Sequence, residues 1–366
     1  MNRYIIYNFM LMSFINLMMY VPHILVERRY SGAVSSILVG TAIGTLLVYL
    51  YTSAIARYPG MGLPEIIKLN FPRWVAAPIL LGFAAIWWFA TTMVTVSYSI
   101  LVNRFLNPDV NTTVILCLLI IACGYAATRS TLTVAFVTEI GMMINAPVII
   151  FILFKAVKSP QLNFDAIRVV AGYITVMPTL TCVAAATFTF TGYITLSISN
   201  RLFPPNFRFK FRWVYPVFGL IILLITFFVP IGFHGTEAVN QYIYIWSVTA
   251  DSLLMQYGFI ERVLFLFLIV FLNLALVFTM AGWHQAMEFV KSFSYKHEPE
   301  IDSPQTPVSN YVIVGIFMLL AYIYLMLTNE KLNMQITSWW LVVRMFFEIC
   351  VVTLMFALSR RRSSSA

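Results

Sequence analysis

Charge is scarce in this sequence, and its scarcity excludes more than any motif does. Asp, Glu, Lys and Arg fill only 10% of the 366 positions, too little polar surface to keep a water-soluble domain of this size dispersed. Cysteine is scarce too: Cys117, Cys123, Cys182 and Cys350 all fall within apolar runs, which suggests neither a disulfide framework nor a zinc site. The four histidines are scattered, and there is no G-x-x-x-x-G-K-[ST], no G-x-S-x-G and no H-E-x-x-H. Catalysis, a metal and a cofactor are therefore not expected. The net charge of +9 invites a nucleic-acid reading, but the basic residues form no stripe interleaved with stacking aromatics; they sit at the ends of apolar runs.

What the sequence has in abundance is apolar length. Hydrophobic residues make up 61% of it, and about 20 mostly apolar residues cross the hydrocarbon core of a bilayer as a helix. Ten such runs are expected, at 4–26, 33–56, 75–101, 112–128, 133–157, 173–200, 213–233, 262–290, 311–328 and 338–358. A β-barrel would show shorter, alternating segments instead. The fold class is thus an all-α polytopic membrane protein, one integral membrane domain over 1–366, with halves at about 4–157 and 173–358 and a polar tail at 359–366. Of the 23 Lys and Arg, 14 lie by the joints of one side, eight by the other, and Arg344 lies inside the last run. The excess places both termini in the cytoplasm, with the Arg201–Arg212 joint and the Arg360-Arg361-Arg362 tail the strongest votes. The first run is longer than a signal-peptide core and lacks a cleavage pattern, so it reads as a retained span. Between His234 and Glu261 the cluster Tyr242-Ile243-Tyr244-Ile245-Trp246 reads as short interfacial helices lying against the outer face.

Breaks within helices matter more than the joints, because freed backbone groups at membrane depth need a partner. In the first run Asn16 precedes Pro22, which removes a backbone donor. In the sixth, Thr187-Phe188-Thr189-Phe190-Thr191-Gly192 is a weak helix former. Runs one and six correspond if the chain is two five-helix halves, and matched interruptions point to a binding site near the midplane. The residues leave a second reading open: Pro22 as a simple kink, and the Thr/Phe run as packing with hydroxyls bonded back to the preceding turn.

The candidate ligand-binding residues are Asn16, Thr91, Thr95, Thr187, Thr189, Thr191, Gly192 and Tyr193. Thr91, Thr95 and Ser99 share one helix face, which suits either a polar ligand or a close helix–helix seam. Unwound backbone near Gly192, opening a half-helix N-terminus, would favour a carboxylate and hence an amino acid. Glu139 is a coupling or gating candidate, with a snorkelling carboxylate beside Arg129 as the other reading. Glu261 and Arg262, at the mouth of the eighth run, are candidates for a gate or a subunit contact, with simple helix-end charge as the other reading. Arg344 and Glu348, four apart, read as a structural pair. His284 and Glu288 share that spacing without a third metal ligand and read as a solvated helix end.

Several stretches resemble the B subunit of bacterial spore germinant receptors, the endospore germination permeases of the amino acid/polyamine/organocation transporter superfamily. They are Ala56-Arg57-Tyr58-Pro59-Gly60 with Leu63-Pro64-Glu65, Tyr125-Ala126-Ala127, Thr138-Glu139-Ile140 and Phe259-Ile260-Glu261-Arg262. The resemblance implies a five-plus-five inverted repeat with broken helices one and six around a small-molecule site. It also implies nutrient sensing in the spore inner membrane with an A subunit and a C-subunit lipoprotein as partners. The chain departs from the family at Asn16-Leu17-Met18-Met19, where small and glycine residues are usual, and at Tyr193, where a glutamate often follows the glycine. A secondary amino-acid transporter coupled to H⁺ or Na⁺ is the rival reading, although runs one and six hold no Asp or Glu.

Overall fold

Inside a bilayer a chain has no water to satisfy its amides, so each apolar run must close its hydrogen bonds within itself. The computed structural model describes residues 2–204, 207, 209–254, 262–294, 299, 301–303 and 305–364. Among these the runs are helical, and an isolated antiparallel β-bridge joins Leu254 to Arg262. Seven continuous helices are long and apolar enough to span: Ala33–Ile55 (span two), Arg73–Phe105 (three), Thr131–Val157 (five), Val214–His234 (seven), Val263–Lys291 (eight), Val308–Leu327 (nine) and Glu330–Ser364 (ten). Span one is a pair, Asn2–Met18 and Tyr20–Glu27, bent by 52°. Span four, Thr112–Ala127, has only 16 residues, about 24 Å of helix.

Span six is shorter than the sequence predicts. The expected start at residue 173 belongs to another element: Phe164–Thr175 meets Leu180–Phe188 at 116°. The corner holds Pro178, which disfavours helical geometry at the residue before it. Span six proper is then Leu180–Phe188, a 3-10 stretch Thr191–Thr195, one turn Leu196–Ser199 and a final 3-10 turn Asn200–Leu202.

Packing follows residue size. Phe190 is fully buried and fills the slot that Gly44 on span two and Gly219 on span seven leave for it; a Cβ on Gly44 would come within 2.6 Å of the ring. Spans three and eight form a long seam, tied by Tyr98 Oη to the Leu268 carbonyl at 2.5 Å and by stacked Phe83 and Phe289 rings 4.9 Å apart. Span one lies between spans five, six and eight. The outer surface is apolar, with Leu118, Ile121, Phe136, Ile144, Ile316 and Val343 exposed as a lipid-facing chain requires.

The aromatic segment before span eight overturns its expected place on the surface. Tyr244, Ile245 and Trp246 are buried, and Trp246 Nε1 donates to the Thr226 carbonyl of span seven at 3.2 Å. Helix Ile245–Asp251 thus folds inward, because an indole with a buried acceptor in reach gains more from the core than from a headgroup layer.

Candidate functional site

The two breaks are built differently. In span one the break is at Met19, with φ −126° and ψ −77°, and not at the proline. Pro22 is the third residue of Tyr20–Glu27, in a first turn whose amides have no intrahelical partner, so it starts the second half instead of interrupting it. Polar side chains bond back nearby: Asn16 Nδ2 donates to the Met12 carbonyl at 2.7 Å, and the single Ser13 hydroxyl proton is shared between the carbonyls of Phe9 at 2.9 Å and Thr189 at 3.1 Å. Ser13 is thereby a stitch between the two broken spans.

In span six the α-helix gives way after Phe188 to 3-10 geometry, with Thr189 N–H donating to the Ala186 carbonyl and Phe190 N–H to that of Thr187, and this change of winding is gripped from span ten. The Arg344 side chain, 1% exposed, donates through Nη2 to the Ala184 carbonyl at 2.7 Å and Thr187 Oγ1 at 2.9 Å. Through Nη1 it donates to Thr191 Oγ1 at 2.8 Å and to the Glu348 carboxylate at 3.0 Å. Its guanidinium lies 5.0 Å from the centre of the Phe188 ring. Thr187 and Thr191 are four apart, so the helical winding turns both hydroxyls to the same cation. Tyr193 Oη donates to Glu348 at 3.3 Å, so the tyrosine after Gly192 reaches a carboxylate of span ten. Four of the five guanidinium protons are placed; the fifth, on Nε, has no partner.

The other candidates are placed as follows. Gly192 is a point of close approach: a Cβ there would stand 2.6 Å from Phe9 Cα and 2.9 Å from the Asn8 carbonyl. Thr189 is buried with an unpartnered hydroxyl. Thr91 and Thr95 bond to the Trp87 and Thr91 carbonyls of their own helix, and Thr95 also meets Thr279 Oγ1 of span eight at 2.5 Å. These two therefore belong to the seam with span eight, apart from Thr187 and Thr191. Asn16 bonds within span one.

At the end of the molecule where span six stops, Arg201 grips two acids. Its Nη2 lies 2.7 Å from Glu65 and its Nη1 2.6 Å from Glu288, which Lys291 also approaches at 3.2 Å. The expected solvated helix end at His284 and Glu288 is thus corrected: Glu288 is 1% exposed within this network, and His284 bonds Thr131 Oγ1 and the Ala127 carbonyl. Glu139 pairs with Arg3 at 2.5 Å, not with Arg129, which bonds Thr306. Beside them a cavity of about 450 Å3 opens among Arg3, Tyr4, Glu139, Arg201 and Asp302. At the opposite end Arg29 and Tyr30 bond Glu237 at 3.1 and 2.7 Å. Arg262 makes a loose pair with Asp251 at 3.8 Å, and Glu261 lies outside the described residues. No three His, Cys, Asp or Glu side chains gather as a metal would need, among the described residues.

Two groups went unforeseen. The extra partners of Arg344 were signalled by the hydroxyls at 187 and 191, since a buried guanidinium needs more acceptors than one carboxylate offers. A second polar knot joins Tyr20 to Ser97 and to Asn333, whose Nδ2 donates to Ser97 Oγ at 2.6 Å and whose Oδ1 accepts from Tyr324 at 2.7 Å. Its members come from spans one, three, nine and ten, and no spacing rule links them.

A family model described as a spore germination protein matches residues 4–334. No curated protein matches the chain by sequence. Among solved structures the chain is similar to Mhp1, a nucleobase-cation-symport-1 family transporter in a closed conformation with bromovinylhydantoin bound. That likeness has a TM-score of 0.56 at 11% identity and covers 96% of this chain and 76% of that one. A Na⁺-coupled sialic acid symporter in a substrate-bound outward-open state aligns at TM-score 0.45 and 13% identity, over 96% and 77% of the two chains. The Mhp1 likeness shows the fold, a five-plus-five helical transporter arrangement; among the described residues it comprises the seven continuous spans, the bent span one, the short span four and span six with its change to 3-10 winding.

Proposed function

Because the chain belongs to the spore germination protein family, we propose that it is the nutrient-sensing membrane subunit of a spore germinant receptor, binding a small molecule, an amino acid, between its halves. In this reading it sits in the spore inner membrane with the Arg201 end and both termini cytoplasmic, and it signals to an A subunit and a C-subunit lipoprotein. The observation that supports sensing is the Arg344–Glu348 pair, which holds the break of span six from a neighbouring span. A buried ion pair is costly to break, and packed interfaces switch between discrete arrangements instead of deforming continuously, so a shift of span ten against span six would be all-or-none. A swing from mostly off to mostly on needs about 5.5 kcal/mol of differential binding, so most of the ligand's affinity must be specific to one state. The ion pairs at the two ends, Arg201 with Glu65 and Glu288 and Arg29 with Glu237, are the contacts such a swing would rearrange.

The rival is a secondary transporter coupled to H⁺ or Na⁺, with Glu139 as the coupling residue. Proteoliposomes holding the purified chain separate the two with radiolabelled amino acids. Saturable binding without accumulation is the expected result. Accumulation driven by a Na⁺ or pH gradient would replace the sensing reading with transport.

A further inference from the structure

Arg3, Arg29, Arg104, Arg201 and Arg344 each pair with a carboxylate. Among the described residues Arg57, Arg212 and Arg360 do not, and the fold brings these three to one place. Arg57, just past the end of span two, donates through Nη1 to the carbonyl of Ser359 on span ten at 2.8 Å, which sets it beside Arg360. Arg212, just before span seven, donates through Nη1 at 2.8 Å to the Oγ of Ser53, four residues before Arg57 on span two. The Arg360 guanidinium lies 4.8 Å from the centre of the Phe356 ring of its own helix. Every partner of the three is therefore neutral. Topology alone would scatter such charges among the joints; here three spans gather them where they repel one another unless an anion sits between.

We propose that Arg57, Arg212 and Arg360 hold the phosphate of an anionic phospholipid where spans two, seven and ten end. A guanidinium has five N–H donors, and Arg57 and Arg212 each spend one on the protein, which leaves the others for phosphate oxygens. The surroundings select a lipid over a soluble phosphate. Phe211 and Trp213, on either side of Arg212, are 57% and 62% exposed, aromatic rings of the kind that lie at headgroup level. Further along the packed spans two and seven, Leu46 and Val217 are exposed and offer an apolar wall to acyl chains. Charge selects the headgroup. A zwitterionic one carries its own ammonium into three like charges, whereas a net negative one meets them with its phosphate alone. The site also bears on the fold, independently of what the chain senses: span ten ends here, and it is the span whose Arg344 grips span six. A bound headgroup thus pins to span two the helix on which that grip depends.

The test is thermal unfolding of the purified full chain in detergent micelles titrated with phosphatidylglycerol or phosphatidylcholine, with retained lipid read by native mass spectrometry. Phosphatidylglycerol should raise the unfolding temperature saturably and stay bound. Phosphatidylcholine should do neither, and inorganic phosphate at the same concentration should leave the temperature unchanged. Arg360→Gln is the cleanest variant, because that side chain bonds to no other span among the described residues. It should weaken phosphatidylglycerol retention about fivefold while the unfolding temperature in phosphatidylcholine stays as it was. Arg57→Gln, Arg212→Gln and Arg360→Gln together should abolish the phosphatidylglycerol shift. Arg168→Gln with Arg262→Gln, which removes positive charge at the opposite end of the molecule, should preserve it. Equal stabilisation by the two lipids, or by inorganic phosphate and lipid, would overturn the assignment. So would unchanged retention in Arg360→Gln, or a loss as large when the opposite end is altered.

Discussion

Spans one and six are interrupted at corresponding places, yet they are mended by different means. Before the break in span one, Asn16 and Ser13 reach carbonyls one turn back in their own helix, and Ser13 also reaches Thr189 of span six. The break in span six draws its partner from span ten, 160 residues further along between Ala184 and Arg344. The break in span one thus combines bonds within its own helix with ties to span six through Ser13 and to spans three and ten through Tyr20. Span six differs in that a buried cation of span ten, and not hydroxyls and amides alone, makes the tie, so its geometry depends on where span ten lies.

The contrast can be broken most forcefully at Arg344. Arg344→Met leaves Glu348 buried without its cation and should cost about 3–5 kcal/mol of stability, read as thermal unfolding in detergent. Adding Glu348→Gln to that variant should restore most of the loss; equal destabilisation of single and double variants would show that the pair is not coupled. Gly192→Ala comes next, because its Cβ would stand 2.6 Å from Phe9 Cα, a backbone atom that cannot yield. Overpacking of this kind costs about 1–3 kcal/mol and pries span one from span six, so a weakened amino acid response should accompany the lower unfolding temperature. Ser13→Ala removes the stitch to the Thr189 carbonyl and should cost about 1 kcal/mol by the same measurement. Asn16→Leu should sharpen the comparison by doing least, within about 1 kcal/mol, since its one bond serves only its own helix. A larger loss for Asn16→Leu than for Arg344→Met would reverse the account of the two breaks.

The sequence-based expectations that held were those resting on local chemistry. Apolar length located the spans, and four-residue spacing paired Arg344 with Glu348 at 3.0 Å. Span four fell short and span six began late because hydropathy reads composition, not the corner that Pro178 imposes. Glu139 met Arg3 instead of Arg129, and Glu288 met Arg201, because a buried carboxylate takes whichever cation the packing delivers, and sequence distance says nothing of that. Trp246 turned inward for the same reason: its acceptor is on span seven.

By itself the sequence determined that this is a helical membrane protein, because solvation is a property of each residue and adds up along the chain. It determined the weak stretches of runs one and six as well, since helix propensity is local. Only the tertiary structure decided that Thr187 and Thr191 face a guanidinium while Thr91 and Thr95 face a neighbouring helix. All four are threonines in apolar surroundings, alike in everything a linear reading can weigh. Their difference arises from which span lies across from each, and that is fixed when ten helices settle together and every buried donor competes for a limited supply of acceptors.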